Sequence, residues 1–135
     1  MKNNPRITAK DRGLIKGAIR RAFARSDLHK QAKALARVEH YDPNRPRVKK
    51  WSKCKGCGRL VPEYTTVVDH ILPIIDVASS FEDQSLDETV NRTWCDISLL
   101  QVLCDEPCHK KKTDFEKEQR KKNKKAKKDL QSKKK

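Results

Sequence analysis

The chain has 135 residues, the length of one domain, with 38% charged and 35% hydrophobic. That is too polar for a large core along the whole length and points to a compact centre with solvated arms. Lys and Arg number 33 against 18 Asp and Glu, a formal net charge of +15, which favours a polyanionic partner through counterion release. Nucleic acid is the first candidate and an anionic membrane surface the weaker one. The apolar runs are far too short to span a bilayer. Met1 to Lys16 is polar and basic, with no hydrophobic signal segment, so the expected setting is cytoplasmic or nuclear, and reducing.

Met1 to Ile7 reads as a loose leader. From Thr8 to about Val38 the pattern is helical: Ile15, Ala18, Ile19, Ala22 and Phe23 recur at three- and four-residue steps. Thr8 suits an N-cap, with Asp11 completing an approximate capping box. Ser26-Asp27 starts a second helix carrying Leu28, Ala32 and Leu35. This basic hairpin can pack on the core and also offer Arg20 and Arg21 to DNA. Tyr41 to Arg47 holds two prolines and reads as a linker.

Tyr64 to Leu72 is rich in β-branched residues and reads as a strand ended by Pro73. Asp76 to Asp96 is acidic and is expected to be a loop with a short helix. Ile97 to Leu103 is apolar and expected to be buried. A helix is expected from about Asp105 or Pro107. Residues 116–135 contain eleven Lys/Arg against three Asp/Glu, a low-complexity tail whose end is expected to be disordered when free. The organisation is therefore a basic helical arm and linker (1–47), a core (48–115) and a lysine-rich tail (116–135).

A small core usually needs a staple, and five cysteines are present. In a reducing compartment clustered cysteines are metal ligands more often than disulfides. Cys54-x2-Cys57 is a knuckle with glycines at 56 and 58, and Cys104-x3-Cys108 is a second pair. Four thiolates argue for a closed, structural Zn2+ site whose binding energy counts as folding energy. Cys95 fits neither pair and reads as a small buried apolar residue. Trp51 and Trp94 read as core or zinc-flank packing. With only seven aromatics and no cluster among them, the chain lacks a stacking platform for single strands, which favours duplex DNA held by its backbone.

Asp69-His70 falls at the end of the expected strand, and His109 follows the last cysteine. Adjacent strand residues face opposite ways, so Asp69 and His70 can share a site only if the strand ends or bends there. If zinc docks the last helix beside the strand, Asp69 and His109 can hold one divalent cation. His70 is then free to take a proton from an attacking water, a role suited to an imidazole.

Residues 54–113 resemble the HNH endonuclease family. The matching pieces are Cys54-x2-Cys57, Val68-Asp69-His70-Ile71-x-Pro73, Leu100-Gln101-Val102-Leu103-Cys104 and Cys108-His109-x2-Lys112-Thr113. The resemblance extends more loosely to small phage-encoded or mobile-element HNH nucleases. It implies an α+β fold with a ββα-metal core stapled by a structural zinc. It implies His70 as general base, Asp69 and His109 on a catalytic ion (Mg2+, Mn2+ or another divalent metal), and Lys112 near phosphate. Lys110 and Lys111 beside it are further candidate DNA contacts. Two departures stand out: the second cysteine pair is C-x3-C rather than C-x2-C, and Leu99 stands where the family carries its middle asparagine, with Asn91 and Asp96 the nearest substitutes. The expected function is a metal-dependent DNA endonuclease. The alternative is a non-catalytic, zinc-dependent nucleic-acid-binding module. Nicking or double-strand cutting would follow from whether the protein acts as a monomer or a dimer.

Overall fold

The computed structural model describes residues 4–75 and 80–133. Residues 1–3 of the leader and Asp76 in the acidic stretch lie outside the described residues. The fold is α+β, with short strands and, among the described residues, four α-helices.

Helix α1 spans Ala9–Ala24. Its start is fixed by a reciprocal capping box: Asp11 N–H donates to Thr8 Oγ1 at 3.1 Å, and Thr8 N–H donates to the Asp11 carboxylate at 3.0 Å. Helix α2, Asp27–Ala36, is capped by Ser26, whose Oγ accepts from His29 N–H at 3.3 Å. The helical pattern overshoots its end. Arg37–Val38 leave the helix as strand β1, because Arg37 donates to both oxygens of Glu63 at 2.7 and 3.0 Å and its backbone pairs with Ser52.

Strands β2 (Trp51–Lys53) and β3 (Leu60–Pro62) flank the first cysteine pair and join β1 in an antiparallel sheet of order β1-β2-β3. The expected long strand is shorter than its composition implied. Glu63–Thr65 make a 3-10 turn and Thr66–His70 alone form β4. Strand β5, Leu100–Cys104, pairs antiparallel with β4 in a second sheet, with Thr66 opposite Cys104 and His70 opposite Leu100. The last cysteine pair therefore begins at one end of this ladder and His70 ends the other.

The β4–β5 connection carries helix α3, Leu86–Thr93, capped by Ser85, whose Oγ accepts from Glu88 N–H at 3.1 Å. After β5 comes a kinked turn over Asp105–His109, then helix α4, Lys110–Lys133. The tail is thus helical through Lys133, further than its composition implied. Lysine is a good helix former, and Glu116 with Lys112 at 2.7 Å supplies an i,i+4 pair. Among the described residues no helix is long and apolar enough to cross a membrane.

Both faces of β5 are buried. Val102 and Leu100 join Phe23, Ala32 and Val68 in one core, against which Leu28, Ala36 and Cys95 pack. Leu103 and Cys104 join Cys54 in a second core against Val61 and Cys108. Trp51 is buried, whereas Trp94 is 37% exposed and meets Phe23 edge-on at 5.8 Å. The Phe23 ring also lies 4.9 Å from the ring of His70. Phe23→Ala is expected to cost about 3–5 kcal/mol of stability, and Phe23→Leu clearly less, in urea denaturation. A loss under about 1 kcal/mol for Phe23→Ala would contradict its place in the core.

Candidate metal centre and active site

Cys54, Cys57, Cys104 and Cys108 converge, with all four donor atoms within 4.8 Å of one another. In a tetrahedral site with bonds of about 2.3 Å, sulfurs sit about 3.8 Å apart; Cys57 Sγ and Cys104 Sγ are 3.9 Å apart. The four cysteines can therefore hold a metal ion such as zinc.

Local structure explains the convergence. Gly58, at φ 74°, turns the knuckle, and its N–H closes on Cys54 carbonyl at 2.9 Å. At Gly56 a Cβ would fall 2.9 Å from Cys108 Sγ, so a side chain there would push against a ligand. The extra residue of the second pair is absorbed in the kinked turn, where Glu106 is extended (φ −126°, ψ 133°).

Two of the sulfurs are also prepared for charge. Burial opposes ionisation of Cys54, but N–H groups of Cys104, Cys57 and Gly56 outweigh it and lower its pKa. Arg59 donates to Cys57 Sγ at 3.4 Å and lowers that thiol to about 6. Cys108 is pushed up to about 12 by burial and the neighbouring sulfurs. Four sulfurs so close cannot all ionise unaided; a cation among them removes that conflict. Cys95 lies outside the cluster. Burial pushes its thiol up, in keeping with a small packed residue.

At the other end of the β4–β5 ladder is a cleft of about 650 Å³ lined by Asp69, His70, His109, Lys112 and Arg20. Strand β4 ends at His70, so the two adjacent side chains open onto one space. Thr93, at the end of α3, presents its carbonyl oxygen 2.8 Å from His70 Nε2. A carbonyl only accepts, so Nε2 carries the proton and Nδ1 keeps its lone pair in the neutral ring. Thr93 is itself fixed: its hydroxyl donates to Thr89 carbonyl at 2.7 Å, and buried Gln84 donates to Thr89 Oγ1 at 2.9 Å and to Ile74 carbonyl at 3.0 Å.

Asp69 Oδ2 accepts from Gln101 at 2.9 Å and faces the Lys112 ammonium at 3.0 Å. Both contacts fall on Oδ2. Lys112 also donates to His70 carbonyl at 2.8 Å and to Glu116 at 2.7 Å. It is an inward-facing brace between α4 and β4 rather than a free surface cation. His109 Nδ1 lies 3.9 Å from Asp105 Oδ1, too far for a hydrogen bond. Among the described residues the four cysteines are the one group of three or more His, Cys, Asp or Glu whose donor atoms converge. An ion on Asp69 and His109 would therefore rely on water or substrate for its other ligands.

Lys16, Lys117 and Arg120 add to the cleft wall. Burial, then the charges of Arg20 and Arg120, lower the pKa of Lys16; the cleft lining also includes the carboxylates of Asp69 and Glu116. Arg21, Lys110 and Lys111 are exposed and are not among the residues lining the cleft. Nor are Asn91 and Asp96. Asn91 lines a separate hollow with Leu99, and Asp96 accepts from Ser98 N–H at 2.9 Å. Thr93 could not be found from sequence, since its functional group is a backbone carbonyl. Glu116 was legible only as an i,i+4 partner of Lys112.

No family model, curated protein or solved structure matches the chain.

Elemental analysis of the purified protein is expected to give one zinc per chain, and Co2+ substitution the visible bands of a tetrahedral thiolate site. Cys54→Ser or Cys104→Ser should lose the metal and lower the melting temperature, while Cys95→Ser should keep one equivalent. Full metal content in Cys54→Ser/Cys104→Ser would refute the site.

Proposed function

We propose that this chain is a metal-dependent endonuclease of the HNH type that hydrolyses phosphodiester bonds in duplex DNA. The observation that carries the reading is His70, tethered through Nε2 to a main-chain carbonyl in a cationic cleft that Asp69 and His109 also line. The tether fixes both the ring and its tautomer. His70 Nδ1 then takes a proton from the attacking water. Asp69, oriented by Gln101 and Lys112, and His109 would hold the divalent ion, Mg2+ or Mn2+. When bound, that ion supplies Lewis-acid stabilisation of the phosphate and of the leaving oxygen. Arg20, Lys16 and Lys117 draw the phosphate backbone to the cleft.

The order of parts supports the HNH resemblance: a strand ending in Asp69-His70, a paired strand ending in Cys104, then a helix carrying Lys112 with His109 just before it. The four-cysteine site at the far end of the ladder is structural in this reading. The setting proposed with it is the cytoplasm, in line with small phage or mobile-element nucleases. Two observations favour the non-catalytic module instead. The Lys112 ammonium already neutralises Asp69 at 3.0 Å, and Leu99 stands at the family's asparagine position.

The test is supercoiled-plasmid cleavage with Mg2+ or Mn2+, with and without EDTA. Metal-dependent cutting is expected, reduced about 10²–10⁴-fold in His70→Ala with folding and DNA binding retained. A folded, metal-loaded protein that binds duplex but cuts it with no common divalent ion would leave the binding module as the function.

A further inference from the structure

A second concavity, of about 1070 Å³, lies between α2, the segment 47–50 and the β3–β4 connection. Its walls carry six cations: Lys30, Lys33, Arg37, Arg47, Lys49 and Lys50. Among the described residues Glu63 is the one carboxylate in its lining, and Arg37 already holds both of its oxygens. Lys33 is spent on structure: its ammonium donates to the carbonyls of Glu63 and Thr66 at 3.3 and 3.0 Å. Lys30, Arg47, Lys49 and Lys50 are exposed; Lys50 is near enough to Glu63 to help hold its carboxyl below the usual range, and that one carboxylate is set against six cations. His29 lines both this groove and the cleft that holds His70. The two spaces therefore share His29 of α2 as a wall.

We infer that this groove is a second phosphate-binding site, which takes the backbone of duplex DNA running out of the cleft past His29. The inference rests on the proposed DNA substrate and adds the path of the duplex across the protein. The open groove suits a continuous backbone better than a single small anion. Arg47, Lys49 and Lys50 come from one wall and Lys30 from the other, so phosphates along a strand can be met from both sides. The groove's aromatic side chain, Tyr64, is 77% exposed. One aromatic is no stacking platform, which agrees with backbone rather than base recognition. Arg47, at the end of the proline-bearing linker, and Lys49 and Lys50 just after it form one bank of the groove.

The experiment compares Lys30→Gln/Lys49→Gln with Lys53→Gln/Lys55→Gln in the full-length, zinc-loaded protein. The second pair removes the same charge from exposed positions outside the groove lining. Duplex binding is measured against salt without a catalytic ion, and lysine acylation is mapped by mass spectrometry with and without duplex. Expected for the groove pair is about a tenfold or greater loss of affinity and a salt slope reduced by close to two, with the control pair near wild type. Lys30, Lys49 and Lys50 should be protected by duplex in the wild type. Equal losses in both pairs, or protection confined to α4 and the cleft, would overturn the groove while leaving the nuclease reading intact. Groove substitutions that abolish binding to anionic phospholipid vesicles but leave duplex binding unchanged would overturn it in favour of a membrane surface. A wild type that binds no duplex would defeat both readings.

Discussion

Four sulfurs brought within 4.8 Å of one another repel as thiolates, and a cation between them would let the knuckle, the end of β5 and the turn before α4 share one point. Much else follows from that point. Cys104 closes the β4–β5 ladder at the metal end, so His70 falls four residues away along β4, roughly 14 Å off at strand spacing. The metal centre is thus too distant to act on anything His70 touches. Its influence on the cleft is geometric. Cys108 starts α4 beside the ladder, and the helix then runs back along it, so that Lys112 reaches His70 carbonyl and Arg120 reaches Ile75 carbonyl at 2.6 Å.

The cleft depends on a second layer of constraint, made of polar groups that would be costly to bury unpaired. Gln84, Thr89 and Thr93 are all buried and pass hydrogen bonds from one to the next. They terminate in the carbonyl that holds His70. On the opposite side Asp69, Lys112 and Glu116 share charge across two elements. Breaking such a partly buried set by removing one member costs more than the set contributes whole. In the proposed nuclease that brace also keeps Asp69 oriented.

How much of this was legible varied with the range of the interaction. Thr8, Asp11 and Ser26 announce their helices because capping is local. The cysteine pairs are legible because thiolates at knuckle spacing have few other uses in a reducing compartment. Strands β1, β2 and β3 were not foreseen: two or three residues are too short for alternation to register, and they exist because Arg37 finds Glu63 and because the knuckle forces its flanks together. The tether on His70 was invisible for a different reason. It uses a main-chain oxygen, which every residue has, so no side-chain pattern encodes it. Arg59 falls between: its proximity to Cys57 is in the sequence, but its reach to Cys104 Sγ at 3.8 Å depends on the folded knuckle.

The leucine at position 99 is better understood in this light. In the HNH family, to which the proposed function assigns the chain, an asparagine there commonly fixes the active-site loop through its side chain. Here the equivalent place is held by the main chain. Ile71 N–H donates to Leu99 carbonyl at 2.9 Å, extending the β4–β5 pairing one step beyond His70. Asp96 caps the turn before it by accepting from Ser98 N–H, and the Thr93 carbonyl fixes His70 itself. A loop secured at those points on either side of position 99 has less need of an amide there. Leu99, 36% exposed, can then serve the hollow it shares with Leu72, Pro73 and Cys95. On the proposed nuclease reading, leucine in place of asparagine removes one side-chain anchor from a loop whose backbone already has several, a smaller change than loss of His70 or Asp69 would be.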